Sequence, residues 1–199
     1  MRYAARSYAD VGEIMHAVMT EVLADGWEPD VIVSVERGGR VPARMALAHA
    51  NTTCKTPAEM ARVKASKYGD SGNVLHAVRV GEIRVPRKGA HRMLIVDDVL
   101  ETGDTMRAVV RELGRYTSDI RVAAAFKKSS YTNRDVMGYA AYCGEEVGDD
   151  VWIVPEWEDD EYRKAGGGVH ATGPAGPVSG HAMGRRGAGD DNNGRTGSP

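Results

Sequence analysis

Apolar positions along the first 163 residues follow two rhythms that keep replacing each other. In YADVGEIMHAVMTEVLADG (8–26), Val11, Ile14, Met15, Val18, Met19, Val22 and Leu23 recur at steps of three and four, the spacing of one helical face. Ser7 and Asp10 supply a start signal and Gly26 a stop. DVIVSV (30–35) is a short, nearly continuous apolar run rich in β-branched residues, as expected of a strand covered on both faces. VPARMALAHA (41–50) predicts a helix with proline in its first turn. ARVKASKY (61–68) alternates at period two, and HRMLIVD (91–97) is a second buried strand. DTMRAVVRELGRY (104–116) predicts a helix with Met106, Val109, Val110 and Leu113 inward. IRVAAAF (120–126) is a third buried strand, and YAAYC (139–143) and WIV (152–154) are shorter ones. Strand and helix in this alternation predict an α/β fold: a mainly parallel twisted sheet with helices on both faces.

Composition changes at residue 164. Eleven of the 24 glycines lie in 164–199, where bulky apolar residues nearly vanish. Such a segment cannot bury enough surface to offset its ordering entropy, so 1–163 is expected to form one domain and 164–199 a disordered Gly-rich tail. His170 and His181 in that tail match no metal-ligand spacing. The formal charge of −2, from 26 basic and 28 acidic residues, gives no reason to expect nucleic acid or a membrane surface as a partner. Cys54 and Cys143 are too few for a disulfide framework and are expected to be buried, reduced thiols. No apolar run approaches the ~20 residues of a membrane span, and the N-terminus lacks an apolar signal core, so a cytoplasmic location is expected.

One stretch carries chemistry. MLIVDDVLETGDTM (93–106) drives a buried strand into Asp97 and Asp98, adds Glu101, and turns through Thr102, Gly103, Asp104 and Thr105 into a helix. In an open α/β sheet, ligands bind beyond the carboxyl ends of the strands. A glycine turn at a helix N-terminus favours an anion, above all phosphate. An acid pair can take sugar hydroxyls and Mg2+. Carboxylates beside a phosphate cradle therefore point to a ligand that carries both hydroxyls and phosphate. A generic dinucleotide-binding fold is disfavoured, because no G-x-G-x-x-G follows the first strand.

LIVDDVLETGDTM resembles the phosphoribosyl-pyrophosphate (PRPP) motif of the type I phosphoribosyltransferases: an apolar run, two acids, two residues, an acid, then Thr-Gly-x-Thr. VIVSVERGGRVPARMAL (31–47) resembles the Arg-Gly-Gly loop and Val-Pro helix start of its purine-salvage members. FKKS (126–129) and WIVPEWE (152–158) resemble two further elements of the xanthine–guanine and hypoxanthine (6-oxopurine) group. The resemblance spans about residues 28–160. It implies the type I fold with a small hood and a flexible active-site loop. It also implies a cytoplasmic, Mg2+-dependent enzyme, a homodimer or homotetramer, with PRPP and a purine base as partners.

By this resemblance, Asp97 and Asp98 bind the ribose hydroxyls directly or through Mg2+. Thr102, Gly103, Asp104 and Thr105 hold the 5′-phosphate. Glu101 stands where the 6-oxopurine enzymes usually carry an aspartate that handles the base proton. Arg37, Gly38 and Gly39 meet the pyrophosphate, beside a Glu36 where a small residue is usual. Tyr68 opens the flexible loop (66–89), preceded by Lys67 where serine is common. Lys128 donates to the exocyclic oxygen of the base, Trp152 stacks on it and the Ile153 backbone meets its edge. The usual Pro-Trp order is altered to Pro155-Glu156-Trp157. The second function class is a non-catalytic PRPP- or nucleotide-binding regulator of the same fold. Such a regulator would want a basic face, and the clusters at Arg84, Arg87, Lys88 and Arg92 and at Lys127, Lys128 and Arg134 are short.

Overall fold

The computed structural model describes residues 2–68, 77–84, 92–133 and 135–166. Its elements run β1 (Arg2–Arg6), α1 (Tyr8–Leu23), β2 (Val31–Glu36), α2 (Arg40–Thr53), β3 (Glu59–Tyr68), β4 (Ala77–Arg84), β5 (Arg92–Leu100), α3 (Asp104–Leu113), β6 (Asp119–Lys128), β7 (Asp135–Val136), β8 (Tyr139–Val147), β9 (Val151–Pro155) and α4 (Asp159–Lys164). Seven strands form one sheet in the order β4-β3-β2-β5-β6-β8-β7. Its five central strands are parallel, and β4 and β7 close the two edges antiparallel. β1 and β9 pair in parallel as a separate two-stranded sheet.

The near-continuous apolar runs are explained by two covered faces. Val31, Val33 and Val35 of β2, Met93 and Ile95 of β5, and Ile120 and Val122 of β6 pack toward α3 on one face. The intervening Ile32, Leu94, Val96, Ala123 and Ala125 pack toward α1 and α2 on the other. Each buried branched side chain contributes about 1.5–3 kcal/mol. α1 starts at the expected place: Asp10 N–H donates to Ser7 Oγ at 3.1 Å, and Ser7 N–H returns the bond to Asp10 Oδ2 at 2.8 Å. Its far end is tied to the sheet by Arg121, whose Nη2 meets Asp25 Oδ2 at 2.6 Å while its guanidinium lies 4.6 Å from the Trp27 ring centre.

This topology makes a crevice. From β2 the chain crosses through α2 to β3 on one side, and from β5 it crosses through α3 to β6 on the other. β2 and β5 are neighbours whose crossovers depart in opposite directions, the switch point where α/β sheets leave a ligand crevice.

The periodicity locates the main helices and strands but not their ends. β5 continues to Leu100 and β6 to Lys128, so Asp97 and Asp98 lie within a strand rather than where it stops. Polar residues in the last turns of a strand hide its end from a hydrophobic reading. The α3 helix stops at Leu113, short of the expected Tyr116, with Gly114 as its C-cap. β1 and the short α4 have no apolar rhythm and go unpredicted. Both cysteines are free and half-buried, and burial pushes the Cys143 thiol up to about 11. The loop over 66–89 falls largely outside the described residues, which here include β3 through Tyr68 and all of β4. Residues 167–199, expected as tail, are also outside them. Among the described residues no helix is long and apolar enough to cross a membrane.

Two glycines give opposite expectations for stability. A Cβ on Gly144 of β8 would lie 2.5 Å from the Ala125 carbonyl oxygen and overlap Ile14 of α1, whereas one on Gly12 would meet nothing within 4 Å. Gly144→Ala should destabilise by about 1–3 kcal/mol. Gly12→Ala, inside α1, should stabilise by about 0.5–1 kcal/mol. Urea unfolding of both variants checks the pair of signs.

Candidate active site

The ladder between β2 and β5 ends at Ser34–Val96, while β5 stays paired with β6 as far as Leu100–Lys127. Asp97 and Asp98 therefore sit in a strand held along one edge only. The Gly38–Gly39 turn packs against the other edge. A Cβ on Gly39 would lie 2.6 Å from the Val96 carbonyl oxygen and 2.7 Å from that of Val35, and one on Gly38 would overlap the Asp98 carboxylate. Gly39 is required by close approach of backbone, and a side chain at Gly38 would displace the Asp98 carboxylate. Asp98 N–H donates to Asp97 Oδ1 at 2.9 Å, and Val99 N–H donates to Asp98 Oδ1 at 2.8 Å, which fixes both carboxylates. The Glu36–Arg37 peptide that enters the turn is cis.

The 102–105 loop is built around Gly103, at φ 78° in the left-handed region. A Cβ there would lie 2.7 Å from Tyr131 Cε2 and 2.9 Å from Arg107 Nη1. Thr102 Oγ1 donates to Asp104 Oδ2 at 2.6 Å, and Arg107 Nη2 donates to Asp104 Oδ1 at 2.5 Å and to the Thr102 carbonyl at 3.0 Å. The Asp104 charge is thus offset inside its own loop. The helices α2 and α3 both begin at a glycine, Gly39 and Gly103, with no side-chain cap. Their first N–H groups and their dipoles favour anions at two neighbouring points above the sheet.

A cleft of about 260 Å³ opens here. Asp97, Asp98, Glu101 and Thr105 line it from the β5–α3 side, Lys128 from the end of β6, and Trp152 and Ile153 from β9. Lys128 is 6 % exposed, and its Nζ donates to the carbonyls of Val151 and, at 3.5 Å, Gly148. The ammonium thereby ties β6 to the turn that enters β9. Of the three donors on an ammonium, two are used. Glu101 and Trp152 are exposed at the mouth. Arg37 is exposed, and its charge reaches Glu158 on the cleft wall. Glu36 turns away: its side chain is 7 % exposed and meets Arg40 Nη2 at 3.1 Å and Arg62 Nε at 3.8 Å. Tyr68 ends β3, and its side chain lies outside the described residues.

Six wall residues were given no role from the sequence: Pro42, Val99, Phe126, Pro155, Trp157 and Glu158. Glu158 closes the WIVPEWE stretch but was given no role, standing in an acid-rich run from Glu156 to Glu161 that reads as a solvated surface. Burial first, then the charges of Glu161 and Asp98, push its carboxyl above the ordinary range, against the pull of Arg37. Among the described residues no group of three or more His, Cys, Asp or Glu converges as a metal cage. A cation held by Asp97 and Asp98 would complete its shell from ligand oxygens and water, as Mg2+ does beside phosphates.

The match to known proteins agrees with this geometry. The phosphoribosyl transferase domain model matches residues 4–161. The chain is similar to the xanthine-guanine-hypoxanthine phosphoribosyltransferase of Helicobacter pylori (20 % identity, TM-score 0.64, covering 83 % of this chain and 99 % of that one). It is also similar to a purine phosphoribosyltransferase of Pyrococcus horikoshii (24 %, 0.61, 80 % and 95 %). A hypothetical protein of Neisseria gonorrhoeae, solved with bound ppGpp, shares the fold likewise (21 %, 0.65, 82 % and 95 %). A mainly parallel sheet with the acid pair, the glycine turn and the Thr-Gly-Asp-Thr loop gathered at its switch point, under a family model that spans most of the chain, makes this protein a member of the phosphoribosyl transferase domain family.

Proposed function

We propose that the protein transfers ribose 5-phosphate from PRPP to a 6-oxopurine base, giving a nucleoside monophosphate and pyrophosphate. The observation that carries this reading is one cleft that joins Asp97, Asp98, Glu101 and Thr105 to Lys128 and Trp152, beside two uncapped helix N-termini. PRPP has a phosphate at each end of a ribose. The α3 N-terminus with Thr102, Gly103, Asp104 and Thr105 suits the 5′-phosphate, and the α2 N-terminus with Arg37, Gly38 and Gly39 suits the pyrophosphate. The ribose hydroxyls between them meet Asp97 and Asp98.

In the reaction the C1–O bond to pyrophosphate breaks and a C1–N bond to the base forms. The displaced base proton passes to the Glu101 carboxylate. Charge on C1 rises before the new bond is complete, so the protein's work is to align two substrates and stabilise the leaving group. Asp97 and Asp98 would hold Mg2+, which when bound supplies charge neutralisation to the pyrophosphate oxygens. Trp152 offers a stacking face, the Ile153 backbone an edge, and Lys128 one remaining donor for an exocyclic oxygen. An ammonium has no acceptor for adenine's amino group, which favours hypoxanthine, guanine or xanthine. A cytoplasmic homodimer or homotetramer completes this reading.

With PRPP and Mg2+, pyrophosphate should appear with hypoxanthine, guanine or xanthine and not with adenine, and EDTA should abolish it. PRPP binding without turnover on any base would instead favour the regulator. Glu101→Gln should lower kcat by about 10²–10⁴ with the PRPP Kd nearly unchanged; an equal kcat removes Glu101 from the proton transfer. Gly38→Ala, whose methyl overlaps Asp98, should weaken PRPP binding roughly tenfold or more, read by calorimetry. The raised Glu158 carboxyl makes its charged form unfavourable, so its contribution to stability is present at low pH and lost as pH rises through the folded value. Glu158→Gln should raise Tm at neutral pH, with the gain shrinking below the ordinary glutamate range, and should tighten PRPP binding by removing a negative charge.

A further inference from the structure

A second hollow, of about 570 Å³, lies on the other side of Trp152, between the β1–β9 sheet and α4. We propose that it is a binding site for a planar heteroaromatic molecule of the purine-nucleoside class, separate from the cleft.

Tyr3 and Trp152 are direct partners in the β1–β9 register. In a parallel pair such residues stand side by side on the same face, about 4.8 Å apart along the sheet. Both rings are left open, Tyr3 at 60 % exposure and Trp152 at 49 %. Folding ordinarily covers aromatic rings of this size, and two side by side make a stacking surface. The opposite wall carries one charge of each sign, Glu161 and Lys164, three residues apart on α4, with the small Ala165 beyond them. The volume is in the range of small-molecule sites, roughly 300–1,000 Å³.

The charges select the edge of the ligand. A carboxylate only accepts and an ammonium only donates. The ring must present donors to Glu161 and an acceptor to Lys164. The edge of a 2-amino-6-oxopurine does this, with N–H groups beside an oxo group. A phosphate would gain from Lys164 and lose to Glu161, so a neutral nucleoside fits better than a nucleotide. Trp152 also lines the cleft, so an occupant of the hollow and a base in the cleft would contact one indole, and each would change the other's affinity by the same factor. That coupling rests on the function proposed above; the binding itself does not.

Guanosine is the probe, since its N9 already carries ribose and cannot accept another. Calorimetric titration of the full chain, without PRPP, should give one saturable site that persists in Asp98→Asn and in Tyr3→Phe. Tyr3→Ala and Glu161→Ala should each weaken it roughly tenfold, the scale of losing one stacking partner or one bidentate acceptor. Transfer measured without guanosine should be unchanged in Tyr3→Ala. No saturable heat up to about 5 mM, or binding lost in Asp98→Asn yet kept in Tyr3→Ala and Glu161→Ala, would overturn the site. Because the readout is heat without turnover, an inactive enzyme that still binds guanosine separates failure of the proposed function from failure of this one.

Discussion

Everything at the cleft depends on how closely two backbones approach. The turn after β2 lies so near β5 that Gly39 has no room for a side chain and one at Gly38 would displace the Asp98 carboxylate. This contact sets the start of α2 against the acid pair of β5. A carboxylate pair in a strand would ordinarily seek water. Here backbone N–H groups at 2.9 and 2.8 Å fix its orientation, while Asp97 is only 9 % exposed. The energy for that placement comes from the two apolar layers beneath, which bury nearly every residue of β2 and of β5 as far as Val96.

Charge is arranged around the same point. A carboxylate at Glu36 would repel a polyanion at the adjacent turn, but it is held away by Arg40 and Arg62. The loop acid Asp104 is likewise taken up by Thr102 and Arg107. Glu36 and Asp104 are thus paired locally, and Asp97, Asp98, Glu101 and Glu158 line the cleft wall. In the function proposed above, a polyanionic ligand at such a wall would need a divalent counter-ion such as Mg2+.

Much of this was legible in the residues. Buried strands announce themselves by unbroken apolar runs and α1 and α3 by their stripes, because both patterns follow from burial on a repeating geometry. The acid pair and glycine loop are legible because they stand in the order of the family's motif, and the family model spans them. The ends of β5 and β6 were not, since Asp97, Asp98 and Lys128 serve the cleft rather than the core. β1 was invisible because RYAAR gains its partner only from a strand almost the whole fold away. Glu158 drew no role although it closes the WIVPEWE stretch, because its place on the wall follows from the chain's path after β9, which no local spacing encodes. Lys128 stood out in the FKKS stretch, but its grip on Val151 and Gly148 required the fold.

The pairing of β1 with β9 has a consequence for biosynthesis. Arg2 aligns with Val151 and Arg6 with Pro155, so β1 has no mate until β9 leaves the ribosome. The α1 helix and the central strands can consolidate on the nascent chain while the leading segment waits. The wall that carries Trp152 is completed only once β9 has emerged, so in the function proposed above a chain truncated before β9 would keep the acid pair and the 102–105 loop but lose Trp152 and Ile153.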